Sequence, residues 1–287
     1  MRSQQCLTNG STRITFVGHA TTVVETSGVR ILTDPVLRHR FRFLKRRSGL
    51  STGSIDLHDI DAVVLSHMHF DHMDYASLRM IPRDVPIIAP KGAPRYLCKN
   101  VPHDVVEMRV GDTLDVGGVR VQATPSQHDS GFYWPFWYPK AVLSYMFEGD
   151  HTVFFIGDTA LFDDMRELGE AFDIEAAMVP IWGCGPYLRG DHMDPAQAAD
   201  ALSMLRPRVA VPIHWGTLHP VGPWWRKAGF LRRPARAFEL EASRRAPLTD
   251  VRILKPGQST VVGREPVHLA LPAVASSGAL EIEPALV

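Results

Sequence analysis

The stretch LSHMHFDHMD, residues 65–74, holds three histidines and two aspartates in ten positions. It follows DIDAVV, an apolar run that reads as a buried strand leading out to a loop. A strand that ends on so many metal-binding side chains constrains the fold strongly, because its sheet must bring further donors to the same edge. His67 and His69 lie two apart in extended chain, so both side chains reach one side. Two imidazoles make half of a tetrahedral zinc shell. Asp71 and His72 fall where the chain turns towards a helix, and they can point to a neighbouring spot, a second ion.

The remaining donors must come from elsewhere, and three candidates each lie just past a predicted strand. They are His128 in ATPSQHDSG, Asp158 in FFIGDTAL and His214 in VPIHWGT. Five imidazoles with carboxylates suit borderline first-row metals: two Zn2+ ions first, with Mn2+ or Fe2+ as alternatives. Cys6, Cys98 and Cys184 stand apart from these donors, which excludes a thiolate-rich structural zinc site. Asp158 has a second reading as a helix N-cap before TALFDDM.

Around these positions the chain is rich in strands. Residues 12–18, 21–26 and 29–34 are short β-branched runs separated by glycine-containing turns, which predicts an antiparallel meander. Further strands are expected at 61–66, 85–90, 119–125, 141–147, 151–158 and 208–213. Helices are expected at 74–81, 92–98, 161–172 and 194–207, the last with Asp194 as N-cap before Pro195. Strands in two blocks, each followed by helices, predict a sheet-on-sheet core covered by helices. One domain over residues 1–265 and a loosely ordered tail, 266–287, complete the expected organisation.

Charge and cysteine usage narrow the partners. Lys+Arg and Asp+Glu both number 31, so no global charge favours nucleic acid. Three scattered cysteines make no disulfide framework and suit a reducing compartment. With no run resembling a signal peptide or a membrane span, a cytoplasmic protein is expected.

HMHFDH fits the HxHxDH signature of the metallo-β-lactamase superfamily at every specified position. PSQHDSG, GDT, PIHWGT, GHATTVVE and LTDP resemble one branch of it, from about residue 12 to 262. That branch holds the N-acyl-phosphatidylethanolamine phospholipase D-like and L-ascorbate-6-phosphate lactonase-like enzymes. The resemblance implies an α/β (α+β) fold, a four-layer αββα sandwich of two mixed β-sheets with metals at one edge. It implies that His67, His69 and His128 hold a first ion. Asp71, His72 and His214 would hold a second, with Asp158 bridging both. True two-zinc β-lactamases commonly use a cysteine at the second position, so antibiotic hydrolysis is remote here. Two such ions, roughly 3.5–4 Å apart, lower the pKa of a shared water from about 15.7 towards 7. The hydroxide so formed can attack phosphorus or a carbonyl carbon.

Asp71 and His192 are the catalytic candidates. By resemblance, His192 in GDHMDPAQAA faces the pocket, to bind a phosphate or protonate a leaving group. His19 in VGHATT lines the same mouth or merely holds a turn, and His219 is a more distant candidate.

Two stretches bear on substrate. SGFYWPFWYPK, 130–140, sets Phe132, Trp134 and Trp137 directly after His128, as a pocket wall or lid, or as aromatics buried on the sandwich or at a dimer contact. HPVGPWWRKAGF, 219–230, adds Trp224 and Trp225 for an opposite wall. RHRFRFLKRRSG, 38–49, is either a solvated basic loop or a rim for an anionic, partly greasy substrate. The expected reaction is hydrolysis of a phosphodiester, on a small-molecule or lipid-like substrate. A lactone or other carboxylic ester is the alternative. A non-catalytic metal-binding protein or a di-iron redox enzyme is weaker. No nucleic-acid partner and at most peripheral membrane contact are expected, and a homo-oligomer is compatible.

Overall fold

Glycine-containing turns between β-branched runs fold the start of the chain into the expected meander. β1 (Thr12–Gly18) pairs antiparallel with β2 (Thr21–Thr26), and β2 with β3 (Val29–Thr33). The computed structural model describes residues 10–41, 44–47, 55–129, 132–133, 136–137, 139–183, 190–222 and 229–263. After β3 come two short strands, β4 (Arg40–Phe41) and β5 (Leu44–Arg46), then β6 (Ala62–Val64). α1 (Tyr75–Leu78), β7 (Ile87–Pro90), α2 (Pro94–Leu97) and β8 (Val105–Met108) complete the first half.

The second half repeats the plan. β9 (Thr113–Val116), β10 (Val119–Thr124), the small hairpin β11 (Phe132–Tyr133) and β12 (Phe136–Trp137), β13 (Ser144–Glu148) and β14 (Thr152–Phe155) lead into α3 (Met165–Ala171). β15 (Ile174–Pro180), α4 (Pro195–Leu205), β16 (Val209–Ile213) and β17 (Leu218–Pro220) follow. α5 (Arg233–Arg245), β18 (Asp250–Val251) and β19 (Ser259–Val262) close the described chain.

Two seven-stranded sheets result, in the orders β19-β1-β2-β3-β6-β7-β8 and β18-β16-β15-β14-β13-β10-β9. Each is mixed: an antiparallel part gives way to parallel strands at β3/β6 in one sheet and at β14/β15 in the other. A third, small sheet joins β17, β5 and β4. Between the large sheets lies the main core, where Ile14, Phe16, Ile31 and Val64 meet Val121, Tyr145, Phe155 and Val211. The outer face of the second sheet is covered by α3, α4 and α5 through residues such as Leu168, Leu202 and Phe238. Leu78 of α1 and Leu97 of α2 cover the other sheet. The αββα order is therefore as expected. Burying apolar side chains at about 25 cal/mol per Å2 on three such interfaces is what holds the strand ends in place.

Some elements differ from expectation. The helices expected at 74–81 and 92–98 shrink to the single turns α1 and α2. The first stops short of Pro82, before which helical backbone is disfavoured. At the second, the Asn100 side chain donates to the Tyr96 carbonyl and takes the place of a further turn. α3 starts at Met165 behind Asp164, so Asp158 is not its N-cap. α4 has the expected Asp194 cap, in a capping box with Gln197, and Pro195 in its first turn.

The expected tail, 266–287, lies outside the described residues, as do Cys6 and Cys184. Cys98 is an exposed free thiol. Among the described residues no helix is long and apolar enough to cross a membrane.

Candidate metal centre

The strand ends of both sheets meet at one edge. The loop after β6 supplies His67, His69, Asp71 and His72, while the segments after β10, β14 and β16 supply His128, Asp158 and His214. Tyr145 of β13 ties the sheets together beneath them by donating to the Leu65 carbonyl at 2.9 Å. Gly157 lets the end of β14 come close, since a Cβ there would stand 2.7 Å from the Ser66 Cβ.

Donor atoms of His67, His69 and His128 lie within 4.8 Å of one another, as do those of His19, Asp71, His72 and His214. Asp158 links the groups. Its Oδ2 is 3.1 Å from the Nε2 of His72 and 3.1 Å from that of His214, and it also groups with His67. His192 lies at the rim, with Nδ1 3.6 Å from the same oxygen and its ring near those of His128 and His214. All seven residues expected as ligands thus lie together, with His192 and His19 beside them.

The hydrogen bonds behind the rings decide what the rings present. His214 Nδ1 lies 2.7 Å from the Trp182 carbonyl and His128 Nδ1 3.0 Å from that of Asp191. A carbonyl only accepts, so each Nδ1 carries the proton. His72 Nδ1 donates to Asp34 Oδ2 at 2.6 Å. Ser66 gives its hydroxyl proton to the same carboxylate at 2.6 Å, so its oxygen accepts from His67 Nδ1 at 2.9 Å. Four imidazoles are therefore locked with Nε2 facing inward.

Inside, two of these inward nitrogens face each other: the Nε2 atoms of His72 and His214 are 3.1 Å apart. His69 Nδ1 lies 3.3 Å from His128 Nε2 and can donate to it. The buried His67 Nε2 and Asp158 Oδ1 have no hydrogen-bond partner among the described residues. Lone pairs crowded in this way need positive charge between them, and the donors fit cations of the first-row type. In the protein alone, protons meet part of that need. Burial pulls His214 down, but Asp158 and Asp71 outweigh it and hold the imidazole at about 9. His72 is likewise lifted well above its ordinary value, since Asp158 and Asp34 overcome its burial. Burial raises the Asp158 carboxyl, yet His214, His72 and His192 hold it well below the usual carboxylate range. Burial leaves His69 and His192 at about 4.

Backbone strain gathers at the same place. Five non-glycine residues have left-handed backbone among those described, and three of them are His19, Asp34 and His214. Each such residue costs about 1–3 kcal/mol, which the surrounding packing must offset.

The loops around the centre are stitched together. Ser126 donates to the Asp158 carbonyl at 2.8 Å, and Ala160 N–H to that of Gln127 at 2.7 Å. Met193 N–H reaches the Thr159 carbonyl at 3.1 Å, which fixes His192 beside the capping box of α4.

Other expectations fall elsewhere. Trp134, Trp224, Trp225 and the side chains of Phe132 and Trp137 lie outside the described residues. His219 is buried in β17 opposite Lys45 and belongs to none of the donor groups among the described residues. The basic segment is only partly a solvated loop. Arg38 grips Asp74 through two hydrogen bonds of 2.7 and 2.6 Å. Arg46 is buried, donates to the carbonyls of Val17 and Val36, and is pulled down to about 10 by that burial. Arg40, Lys45 and Arg47 remain exposed. Asp34 and Ser66 carried no assigned role in the sequence. The signal was LTDP, an acid directly past a strand.

A sandwich of two mixed sheets with a His/Asp cluster at one edge defines the metallo-β-lactamase fold. The model of the family described as "Beta-lactamase superfamily domain" matches residues 29–215, more than half of the chain, and the chain belongs to that superfamily. A UPF0173 metal-dependent hydrolase of Deinococcus radiodurans is 31% identical over 256 residues, covering 86% of this chain and 98% of the relative. Among solved structures, Igni18, a metallo hydrolase from the archaeon Ignicoccus hospitalis, is 25% identical with a TM-score of 0.66, covering 88% of this chain and 98% of its own. CmlA, a diiron β-hydroxylase from Streptomyces venezuelae, shares the fold at 17% identity and a TM-score of 0.67, over 88% of this chain and 54% of its own. The fold alone therefore does not fix the reaction.

Proposed function

We propose that this chain is a metal-dependent hydrolase whose centre holds two ions, zinc by its donor chemistry, and cleaves a phosphodiester, lipid-like in part. The observation that carries this reading is the set of four imidazoles whose outer nitrogens are tied to oxygen acceptors and whose inner nitrogens converge on Asp158. His67, His69 and His128 would hold one ion, and Asp71, His72 and His214 the other, with Asp158 between them. Bound there, the ions would supply Lewis acidity and a nucleophile drawn from water at neutral pH.

The protein's own part is placement. Asp34 and Ser66 aim His72 and His67, and the carbonyls of Asp191 and Trp182 aim His128 and His214. His192, half-buried at the rim, is placed to hydrogen-bond a substrate oxygen or pass a proton to the leaving group. A greasy substrate is supported by the aromatic hairpin that follows His128 and by the exposed Arg40, Lys45 and Arg47. PSQHDSG, PIHWGT and LTDP support the phospholipase D-like and lactonase-like branch.

Elemental analysis of the purified protein is expected to give about two transition-metal ions per chain. Side-by-side assays with an aryl phosphodiester and a set of lactones are expected to favour the phosphodiester. Catalytic efficiency higher for lactones by several orders of magnitude would assign the site to carboxylic esters instead.

A further inference from the structure

His19 is drawn into the centre by contacts that its sequence position does not explain. It sits in the turn between β1 and β2 with left-handed backbone, φ 61°. Its N–H donates to Thr217 Oγ1 at 2.8 Å, and its carbonyl accepts from the His214 N–H at 2.9 Å. The turn is thus fastened through its backbone to the segment that carries His214, in the opposite sheet. The preceding Gly18 leaves no room for movement, since a Cβ there would meet the Arg46 guanidinium at 2.7 Å and Thr217 Cγ2 at 2.9 Å. Behind it, the buried Arg46 donates to the Val17 carbonyl.

From this fixed base the imidazole reaches across. Its Nε2 lies 3.2 Å from Asp71 Oδ2, and its ring centroid is 3.9 Å from that of His214. The donor group that includes His19 also holds Asp71, His72 and His214, and none of His67, His69 or His128. So the contact is one-sided: it serves the second metal position alone.

We propose that His19 is a positioning residue for the second ion. Its Nε2–H holds the Asp71 carboxylate while its carbonyl holds the His214 backbone, setting two ligands from opposite sheets at one spacing. A ligating carboxylate needs an outer hydrogen bond as much as a ligating imidazole does, and His19 supplies it. The sequence left His19 between lining the pocket mouth and holding a turn; this role builds on the second, and it rests on the two-ion reading above.

The test uses two substitutions that differ in reach. Glutamine places an amide N–H near the position of His Nε2, while asparagine tolerates left-handed backbone but is too short to reach Asp71. Metal-free wild type, His19→Gln and His19→Asn are titrated with Zn2+ by calorimetry, with chelator competition for the tight step and circular dichroism to check folding. For His19→Asn the second equivalent is expected to weaken by about 10–100-fold while the first is unchanged, and His19→Gln is expected to recover most of the loss.

Thr217→Val, which frees the His19 N–H without touching a donor, is expected to give a smaller loss at the second equivalent only. It keeps the test open if the asparagine variant does not fold. Wild-type affinity at both equivalents in His19→Asn would overturn the assignment. Equal damage in His19→Gln and His19→Asn would overturn it too, by making His19 a direct donor. A wild-type protein that takes up fewer than two ions would instead sink the two-ion reading itself, before any variant is compared.

Discussion

The two donor groups proposed to hold the ions share an edge of the sandwich but differ in charge. The first is built from histidines alone: His67, His69 and His128. The second is surrounded by carboxylates: Asp71 within it, Asp158 at 3.1 Å from its imidazoles, and Asp34 behind His72 at 2.6 Å. Without metal, burial keeps His67 well below its ordinary value and His69 at about 4, so both stand neutral near pH 7. At the second position burial is outweighed, and His72 and His214 keep their protons. On the two-ion reading, the first position would take an ion without expelling protons from His67 or His69, whereas the second would first have to release those on His72 and His214. Neutral donors favour ready uptake, whereas anionic donors favour strong retention once the protons have left.

The strongest way to break this contrast is to remove the residue common to both sides. Asp158→Ala is expected to take turnover to background and leave at most one ion per chain, with the far-ultraviolet circular dichroism of the wild type. Two ions retained in that variant would deny Asp158 its bridging place.

A smaller effect is expected behind the ligands. Asp34→Asn leaves every donor in place but weakens the support of His72 directly and of His67 only through Ser66. Zinc affinity should fall by about 10–100-fold at the second position and by less at the first, measured by chelator competition. Equal losses would mean that the Ser66 relay matters as much as the direct contact.

The mildest test is pH. His214 is held at about 9, so below that pH its proton must be displaced before an ion binds. Affinity at the second position should therefore fall as pH falls, by about tenfold per unit for each proton expelled, while the first position changes much less. Calorimetry in buffers of different ionisation enthalpy would count those protons. His69→Ala should leave the proton-releasing step, and His214→Ala should leave the other. The metal-free protein carries the opposite sign. With His214 raised from 6.5 to about 9, its ion pairs stabilise the fold fully below pH 6.5 and are lost as pH rises through about 9.

Much of this centre was legible because strand ends and metal donors leave local marks. HMHFDH, and single donors just past β10, β14 and β16, can be read from residue type and short spacing alone. The supports were harder to read. Trp182 and Asp191 act through backbone carbonyls, which any residue provides. Arg46 looks like one of several basic residues in a solvated run, and only the pairing of β5 with β17 buries it. That pairing joins chain segments more than 170 positions apart, counted from Arg46 to Leu218, and no local pattern announces it.

Several elements were not legible either, β15 and α5 being the longest of them. β15, IEAAMVP, is flanked by parallel strands and buried on both faces, so it lacks the alternation that marks a half-exposed strand. α5 buries Pro234, Ala235, Phe238 and Ala242 on one face. That spacing was present in the sequence but overshadowed by the arginines around it.

The division of the donors between the two sheets has a consequence for how the molecule matures. His19, His67, His69, Asp71 and His72 belong to the half that ends at β8, while His128, Asp158 and His214 belong to the half that begins at β9. The donor groups of both proposed metal positions draw on both halves. With ions bound as proposed, their full shells would form only once the two layers had closed face to face, so uptake would gauge completed assembly.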